Sequence, residues 1–505
     1  MKDQDRRNLK NRQRRIRRRL DKKKGKDDTG PVFEGRNRHY EVSARTKATK
    51  AGGVGAIHDL ALRSGLVDAI DEALPLLKFH QPYHESDHVL NIAYNILAGG
   101  TCLEDLENLR QDESYMDMLG ARRIPDPTTA GDFLRRWDDP IHHVAFMDAV
   151  NGIRQKFWTR QPELLQDRAV IDVDGTIVPT HGEKKFGMDI SYNGIWGHHP
   201  LLVSLANTQE PLYVVNRSGN VPSHTDAAHW IDKAIDLCAP IFGEVFLRGD
   251  TDFSLTTNFD RWTDASVKFV FGYDSIKGLI ERAELLSDEA WSRLHRPQRV
   301  IPAHLQRDTR PNVKEEIVVK RGFTSIHLES EDVAEFDYRP GQCEKTYRMI
   351  VLRKNLTIEK GEQDRVLFPD IRYFFYVTND DNLDSRRVVF EANARCHQEN
   401  LIEQLKNGVH ALHAPVHNLL SNWAYMLVAS LAWTLKAWFA LTLPRREDRE
   451  SVLRMEFKKF LNMLMLIPCQ VTKAARKIVV RVLAYTQGVR ILLRGCQAIG
   501  RLKPT

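Results

Sequence analysis

The sequence predicts an α/β protein: a core of strands and helices interrupted by a β-rich insertion, with a helical N-terminal domain and a basic helical C-terminus. Three observations lead there. Apolar residues recur at helical spacing from about Gly53 to Trp158. Near Arg168 the texture changes to short β-rich runs. Helical periodicity returns at Asn393 and continues to the end. The 505 residues are 42% hydrophobic and 28% charged, enough for a large core. At roughly 150 residues per domain, two to four structural units are expected.

Residues 1–40 come first. The initial 26 hold 14 Lys/Arg against three Asp, and residues 1–30 have almost no apolar side chains. Such a stretch cannot bury enough surface to fold alone, so a disordered basic arm is expected. Residues 41–165 read as a helical domain. Ser86 is a plausible N-cap before Val89, Ile92, Ala93, Ile96 and Leu97, and Gly99-Gly100 stops that helix. Pro125-Asp126-Pro127-Thr128 turns and caps the chain ahead of Phe133, Leu134 and Trp137. Helical modules of this kind bind DNA or simply pack; this one is read as the DNA-binding domain.

Residues 166–292 carry strand-like runs at Ala169–Val173, Leu201–Ala206, Leu212–Val215, Glu244–Leu247 and Lys268–Phe271, with a helix at Asp226–Leu237. Three antiparallel strands, a helix and another strand is the opening order of a ribonuclease-H-like fold, so this is the first part of a catalytic core. Residues 293–385 form the β-rich insertion, with runs at Glu316–Lys320, Tyr347–Leu352 and Tyr373–Val377. Residues 386–444 supply the second part of the core, and 445–505 a basic helical C-terminal region.

Charge is uneven along this plan. The first 26 residues are net +11, residues 445–505 net +10, and the whole chain only +7, so the middle is acidic by 14 charges. Basic ends that hold a polyanion around a centre that binds cations would give this pattern. A solvated tail and a lysine-rich surface would give it equally. Six scattered cysteines without a CxxC pair exclude a zinc-ribbon or disulfide scaffold, and a reducing cytoplasm fits best. The N-terminus is charged from Lys2 and has no apolar signal region. Mean hydropathy of −0.43 is too polar for a multi-span membrane protein. Trp423–Leu443 has a single charge and the length to span a bilayer. Lys436 at mid-membrane would cost about 2.5–3.5 kcal/mol, so a buried core helix is expected and no membrane.

Three acidic motifs stand out. In IDVDGT, Asp172 and Asp174 alternate along a strand and so share a face. In FLRGDTDF, Asp250 follows an apolar strand and Asp252 lies two residues on. In RCHQENLIEQLK, Arg395, Glu399 and Lys406 fall within about 40° of one another on a helix, as would a solvated charged face. Carboxylates are hard oxygen ligands that suit Mg²⁺ or Mn²⁺. A pair of such ions activates a water or 3′-hydroxyl and stabilises the leaving oxygen in phosphoryl transfer. His198-His199 reads as a loop pair or a metal contact, and Trp291 as a packing residue or a base-stacking one. Asn422, Lys436, Lys473, Arg476, Lys477 and Arg481 are plausible DNA contacts.

The chain resembles DDE-type bacterial insertion-sequence transposases, specifically transposase DDE domain group 1. This group lies in the ribonuclease-H-like superfamily, with a β insertion before the glutamate. SDHVLNIAYNILAGGTCLEDLENLRQD, IPDPTTAGDFLRRW, IDVDGT, YNGIWGHHPL, RGDTDF, YRMIVLR and RCHQENLIEQLKNG carry the resemblance. The superfamily's helix signature, Tyr-x2-Arg-x3-Glu-x6-Lys, is met by Arg395, Glu399 and Lys406, while Ala392 stands at its tyrosine position. The resemblance implies catalytic metal ligands Asp174, Asp250 and Glu399 for two Mg²⁺ or Mn²⁺ ions. It also implies DNA contacts from Arg395 and Lys406, and supporting carboxylates at Asp172 and Asp252. Relatives commonly have Asp-Ser-Gly-Phe where this chain has Asp250-Thr251-Asp252-Phe253. The implied activity is cleavage at the ends of an element and strand transfer into target DNA, by a homodimer or higher assembly on double-stranded DNA. The implied place is the bacterial cytoplasm, with the nucleoid. A catalytically inactive or repurposed DNA-binding protein, or a ribonuclease-H-fold nuclease, are the alternatives.

Overall fold

A computed structural model describes residues 3–21, 38, 42, 46–80, 82–161, 168–296, 324–360, 364–365, 370–474, 477–485 and 487–502. The first element corrects an expectation. Where a disordered arm was expected, Asp3–Asp21 form a helix, α1. Arg, Lys, Gln and Leu are good helix formers, and the helix has a docking site: Leu9 is buried and Arg12 Nη1 donates to the Val482 carbonyl at 2.8 Å.

A two-residue strand, β1 (Ala48–Thr49), precedes seven helices: α2 (Val54–Ser64), α3 (Leu66–Ala73), α4 (Glu85–Leu97), α5 (Leu106–Arg110), α6 (Glu113–Leu119), α7 (Pro127–Arg135) and α8 (Pro140–Trp158). The expected stripe Val89, Ile92, Ala93, Ile96 and Leu97 is buried on α4. Helix α4 begins one residue before Ser86, and the Asp87 carboxylate reaches back to the His84 N–H at 2.9 Å. Helix α7 starts as anticipated: Asp126 accepts from the Thr129 N–H at 2.9 Å and Pro127 occupies the first turn, where its missing N–H costs nothing.

The core follows as β2 (Arg168–Gly175), β3 (Val178–Pro179), β4 (Asp189–Ile190), β5 (Trp196–His198), β6 (Leu201–Leu205), β7 (Glu210–Val215), α9 (Ala227–Cys238), β8 (Glu244–Gly249), α10 (Phe259–Asp264), β9 (Lys268–Tyr273) and α11 (Lys277–Glu284). The insertion supplies β10 (Ser292–Arg293), β11 (Thr324–Tyr338), β12 (Tyr347–Lys360), β13 (Asp364–Arg365) and β14 (Asp370–Thr378). One mixed sheet of ten strands joins the two, ordered β10-β11-β12-β14-β9-β8-β2-β6-β7 with β13 beside β12. Strands β2, β8 and β9 are parallel neighbours, whereas β2, β6 and β7 form an antiparallel meander. The insertion is therefore no separate sheet. It continues the core, with β14 pairing antiparallel to β9 from Phe375↔Tyr273 to Thr378↔Val270. The long strand β11 was not anticipated, because its acidic residues, Glu331 and Asp332 side by side among them, interrupt the alternation and read as a polar connection. The expected run Glu316–Lys320 lies outside the described residues.

Beyond the sheet come α12 (Ser385–Asn393), α13 (Cys396–Glu403), a π-turn at Gln404–Gly408, α14 (Leu419–Thr442), α15 (Arg446–Leu453), α16 (Phe457–Phe460), β15 (Cys469–Ala474), β16 (Lys477–Val482) and α17 (Gln487–Ile499). Helix α14 is the long apolar segment, and Ser421–Leu441 are all buried between α4, α7, α8, α15 and β7. Its one charge is accommodated inside the protein: Lys436 Nζ donates to the Leu453 carbonyl at 2.9 Å and lies 3.6 Å from the Trp433 ring centre. Burial lowers the Lys436 pKa to about 7. A second buried charge locks α8, β7 and α14 together. Glu210 accepts from Arg154 Nε, Trp158 Nε1 and Trp438 Nε1, each at 3.0 Å. Arg154 Nη2 also donates to the Pro211 carbonyl at 2.8 Å, so most of the buried pair's polar atoms are compensated, as a buried ion requires.

The C-terminal region is not wholly helical as expected. Strands β15 and β16 form a hairpin that β1 completes as a three-stranded sheet. The fit against the N-terminal helices is close: a Cβ on Gly53 would stand 1.9 Å from the Leu464 carbonyl oxygen.

Candidate active site

Strands β2 and β8 run side by side in parallel, with Asp172 opposite Arg248. Parallel neighbours finish at the same edge of a sheet, so Asp174, next to last on β2, and Asp250, just past β8, emerge together. Asp172, expected as a supporting carboxylate, is engaged one step below the edge. It is 1% exposed and bidentate to Arg248, at 2.7 Å (Nε) and 2.9 Å (Nη2), and Arg248 Nη1 reaches Glu391 Oε2 at 3.1 Å. This pair joins the two strands to α12, one step below the edge.

At the edge itself, Asp250 Oδ1 accepts from the Asp252 N–H at 3.1 Å and caps the turn Thr251–Phe253. Its Oδ2 stands 3.2 Å from Arg395 Nη1. The Asp252 side chain is exposed, and its charge acts on His199. His199 in turn crowds the first motif. Its Nδ1 lies 2.8 Å from the Val221 carbonyl, and a Cβ on Gly175 would be 2.8 Å from its Nε2, so a side chain after Asp174 would have to displace His199.

Arg395, Glu399 and Lys406 converge on this edge, though not along one regular helix. The chain breaks between α12 and α13 at Ala394-Arg395, and Lys406 sits on the π-turn. A π-turn adds a residue per turn and re-aims the side chain, a device frequent at functional sites. Lys406 Nζ donates to Thr176 Oγ1 at 2.7 Å, two residues past Asp174. Burial lowers the pKa of Lys406, opposed by Glu403 and Asp174. The Asp174 carboxyl is raised to about 6, first by burial, then against the pull of Arg395 by the charges of Asp250 and Glu399. The three expected ligands thus act on one another across the strand ends, and a cluster of hard, mutually repelling carboxylates fits a divalent cation. Their ligand oxygens do not all lie within 4.8 Å of one another, since the triad of described residues gathered that closely is elsewhere, at His80, His84 and Glu85.

Beside Asp250 opens a cleft of about 320 Å³, lined among others by Tyr273, Phe374, Tyr376, Ala392 and Arg395. Ala392, at the signature tyrosine position, packs in the same cluster as Tyr376. The Tyr376 hydroxyl, raised by burial, feels the charge of Arg395. Sequence reasoning missed Tyr376 because β14 is far from Ala392 until the sheet forms. It also passed over Thr176, though the Asp-Gly-Thr motif contains it.

Several expected DNA contacts prove internal. Asn422 is fully buried and bonds the Val416 and Asn418 carbonyls, and Lys436 is enclosed as described. His198 is buried with Asn216 and Asn422 each 3.5 Å away, its pKa lowered to about 4 by burial. Trp291 carries Arg353 4.1 Å over its ring. Lys473 pairs with Asp117 at 2.6 Å, while Lys477 and Arg481 lie exposed on β16 and Arg476 lies outside the described residues.

Residues 37–504 match the family model for transposase DDE domain group 1. No curated relative matches the chain. Among solved structures it is similar to the piggyBac transposase synaptic complex with hairpin DNA, with 9% identity and a TM-score of 0.36 over 83% of this chain and 84% of that one.

Proposed function

The chain belongs to the transposase DDE domain group 1 family, and we propose that it is a metal-dependent DNA transposase of a bacterial insertion sequence. It cuts at the ends of its element and joins the freed 3′-hydroxyls to target DNA. One observation carries the mechanism: Asp174 and Asp250 at the ends of adjacent parallel strands, with Glu399 close enough to help raise the Asp174 carboxyl to about 6. The strand order β7-β6-β2-β8-β9, with α9 between β7 and β8, supports a ribonuclease-H-like core.

Asp174, Asp250 and Glu399 would hold two Mg²⁺ or Mn²⁺ ions, which supply nucleophile activation and stabilisation of the leaving oxygen. The chain's own groups do the rest. The bidentate Asp172–Arg248 pair holds β2 and β8 in register, so that both aspartates meet at one edge. Lys406 holds the Thr176 hydroxyl, two residues past Asp174, and places a cation beside the site. Arg395 is positioned to turn from Asp250 to a DNA phosphate, where a planar guanidinium binds two oxygens at once. Two DNA ends are brought together by a homodimer or larger assembly, in the cytoplasm with the nucleoid.

Labelled duplexes taken from the DNA flanking the reading frame test this with the full chain. Mg²⁺-dependent nicks at inverted repeats, followed by joined products, are expected. Bound but uncut DNA throughout an Mg²⁺ and Mn²⁺ titration would leave a DNA-binding protein without catalysis, and cutting without joining a nuclease.

A further inference from the structure

Away from the carboxylate edge, the segment leading into α4 gathers a second set of metal-ligating side chains. His80, His84 and Glu85 each offer one ligand atom, and these atoms lie within 4.8 Å of one another. His80 Nε2 stands 3.2 Å from Glu85 Oε2. Two ligands each about 2.1 Å from one tetrahedral ion stand about 3.4 Å apart, so that spacing already suits a shared metal. The rings of His80 and His84 stack, with centroids 4.6 Å apart and planes within 8°; each nitrogen's lone pair lies in its ring plane, so one ring has to turn as an ion enters.

Glu85 makes this more than a surface pair of histidines. Its side chain is 1% exposed. Oε1 accepts from the backbone N–H groups of Leu76 and Leu77 at 3.0 and 2.8 Å, which fixes the carboxylate in place. Oε2 is buried, and His80 Nε2 at 3.2 Å lies out of line for a hydrogen bond with it. A buried acceptor left so is costly, and Oε2 is turned toward the imidazole of His80. Both histidines are exposed, so the site has a way in from solvent.

We propose that His80, His84 and Glu85 bind one transition-metal ion of the Zn²⁺ class, fastening the segment before α4 to the first turn of that helix. Two imidazoles and a carboxylate are a borderline donor set, preferred by Zn²⁺ over Mg²⁺, and three protein ligands leave a fourth position for water. Pro82 and Tyr83, between the two histidines, line a cavity of about 430 Å³ together with Arg122 and Arg123. Arg123 lies 5.7 Å over the Tyr83 ring. The ion would therefore set one wall of a cationic cleft in the helical domain, independently of the carboxylates on β2 and β8.

Co²⁺ serves as the probe, because its visible absorption reports nitrogen and oxygen ligands. Full-length protein titrated with Co²⁺ in excess Mg²⁺ should take up one equivalent with a visible band that Zn²⁺ removes. His80→Ala and His84→Ala, at exposed side chains, should each weaken uptake about tenfold or more. Glu85→Gln, which keeps the acceptor for Leu76 and Leu77, should do the same, while Asp174→Asn should leave the band intact. Uptake and band unchanged in the histidine variants would overturn the proposal. So would a band lost in Asp174→Asn but kept in His80→Ala, which places the ion at the strand-end carboxylates. Failure of Co²⁺ to bind against Mg²⁺ would reduce the cluster to a His80–Glu85 ion pair.

Discussion

Strand β2 carries two aspartates, two residues apart, in opposite electrostatic surroundings. At Asp172 and Arg248 an acid meets a base, both are buried, and two hydrogen bonds of 2.7 and 2.9 Å satisfy them. At Asp174 and Asp250 an acid meets an acid, and burial together with the neighbouring carboxylates raises the first to about 6. The helices across the sheet edge repeat the contrast: Glu391 adds to the lower pair, and Arg395 and Glu399 come to the upper one. A charge pair satisfied within the fold secures structure. A carboxylate cluster without enough internal cations keeps affinity for a cation from outside, and perturbed carboxyls of this kind mark functional sites.

The contrast breaks most sharply at Glu399. Glu399→Gln should lower Mg²⁺-dependent cleavage on the order of 10³-fold or more, while DNA affinity, resting on phosphate contacts elsewhere, changes little. Cleavage rates and gel-shift affinities on the same duplex measure both, and a parallel fall in the two would make Glu399 structural.

The lower pair should answer in stability instead. Asp172→Asn leaves Arg248 buried with less than a full partner, costing about 3 kcal/mol in denaturant unfolding. A variant as stable as the parent but inactive would move Asp172 into the catalytic group.

Asp174 should have the opposite sign. Its folded pKa of about 6 exceeds the ordinary 3.8, so the stability tied to its proton is fully present below pH 3.8 and lost as pH rises through about 6. Asp174→Asn should therefore stabilise the metal-free protein at pH 8 by on the order of 1–2 kcal/mol, less than the full shift because the side chain is partly exposed. At pH 4 the gain should nearly vanish. Unfolding in chelator at the two pH values decides it, and equal gains at both would rule out the buried charge as the cause.

The smallest change concerns the cleft. Tyr376→Phe removes only the hydroxyl of a tyrosine that lines the cleft with Arg395, worth about 1 kcal/mol or roughly a fivefold drop in cleavage rate. No change in rate, with the fold intact, would make Tyr376 a packing residue alone.

The residues that bear on these tests were unevenly visible in the sequence. The acidic motifs that hold Asp172 and Asp174, Asp250 and Asp252, and Glu399 could be picked out by local context within a few residues, whereas Asp174, Asp250 and Glu399 were singled out among them by the family resemblance. The strands β2, β6, β7, β8 and β9 were legible for the same reason, as short apolar runs bounded by turns. The choice between Asp172 and Asp174 was not. Both face the same way on one strand, and only pairing with β8 puts Arg248 opposite the first and brings Asp250 beside the second.

By itself, then, the sequence determined the local elements, the charge asymmetry and the candidate carboxylates, since periodicity, turns and composition act over a few neighbouring residues. Tertiary structure alone decided that the insertion extends the central sheet, that α1 docks as a helix, that the C-terminus folds partly as a hairpin, and that Lys436 and Asn422 lie inside. It also brought Tyr376 to the place beside Ala392, and Glu85 to the two histidines. Each of these depends on which surfaces remain to be covered once the sheet has closed, and burial of that kind is a property of the whole chain.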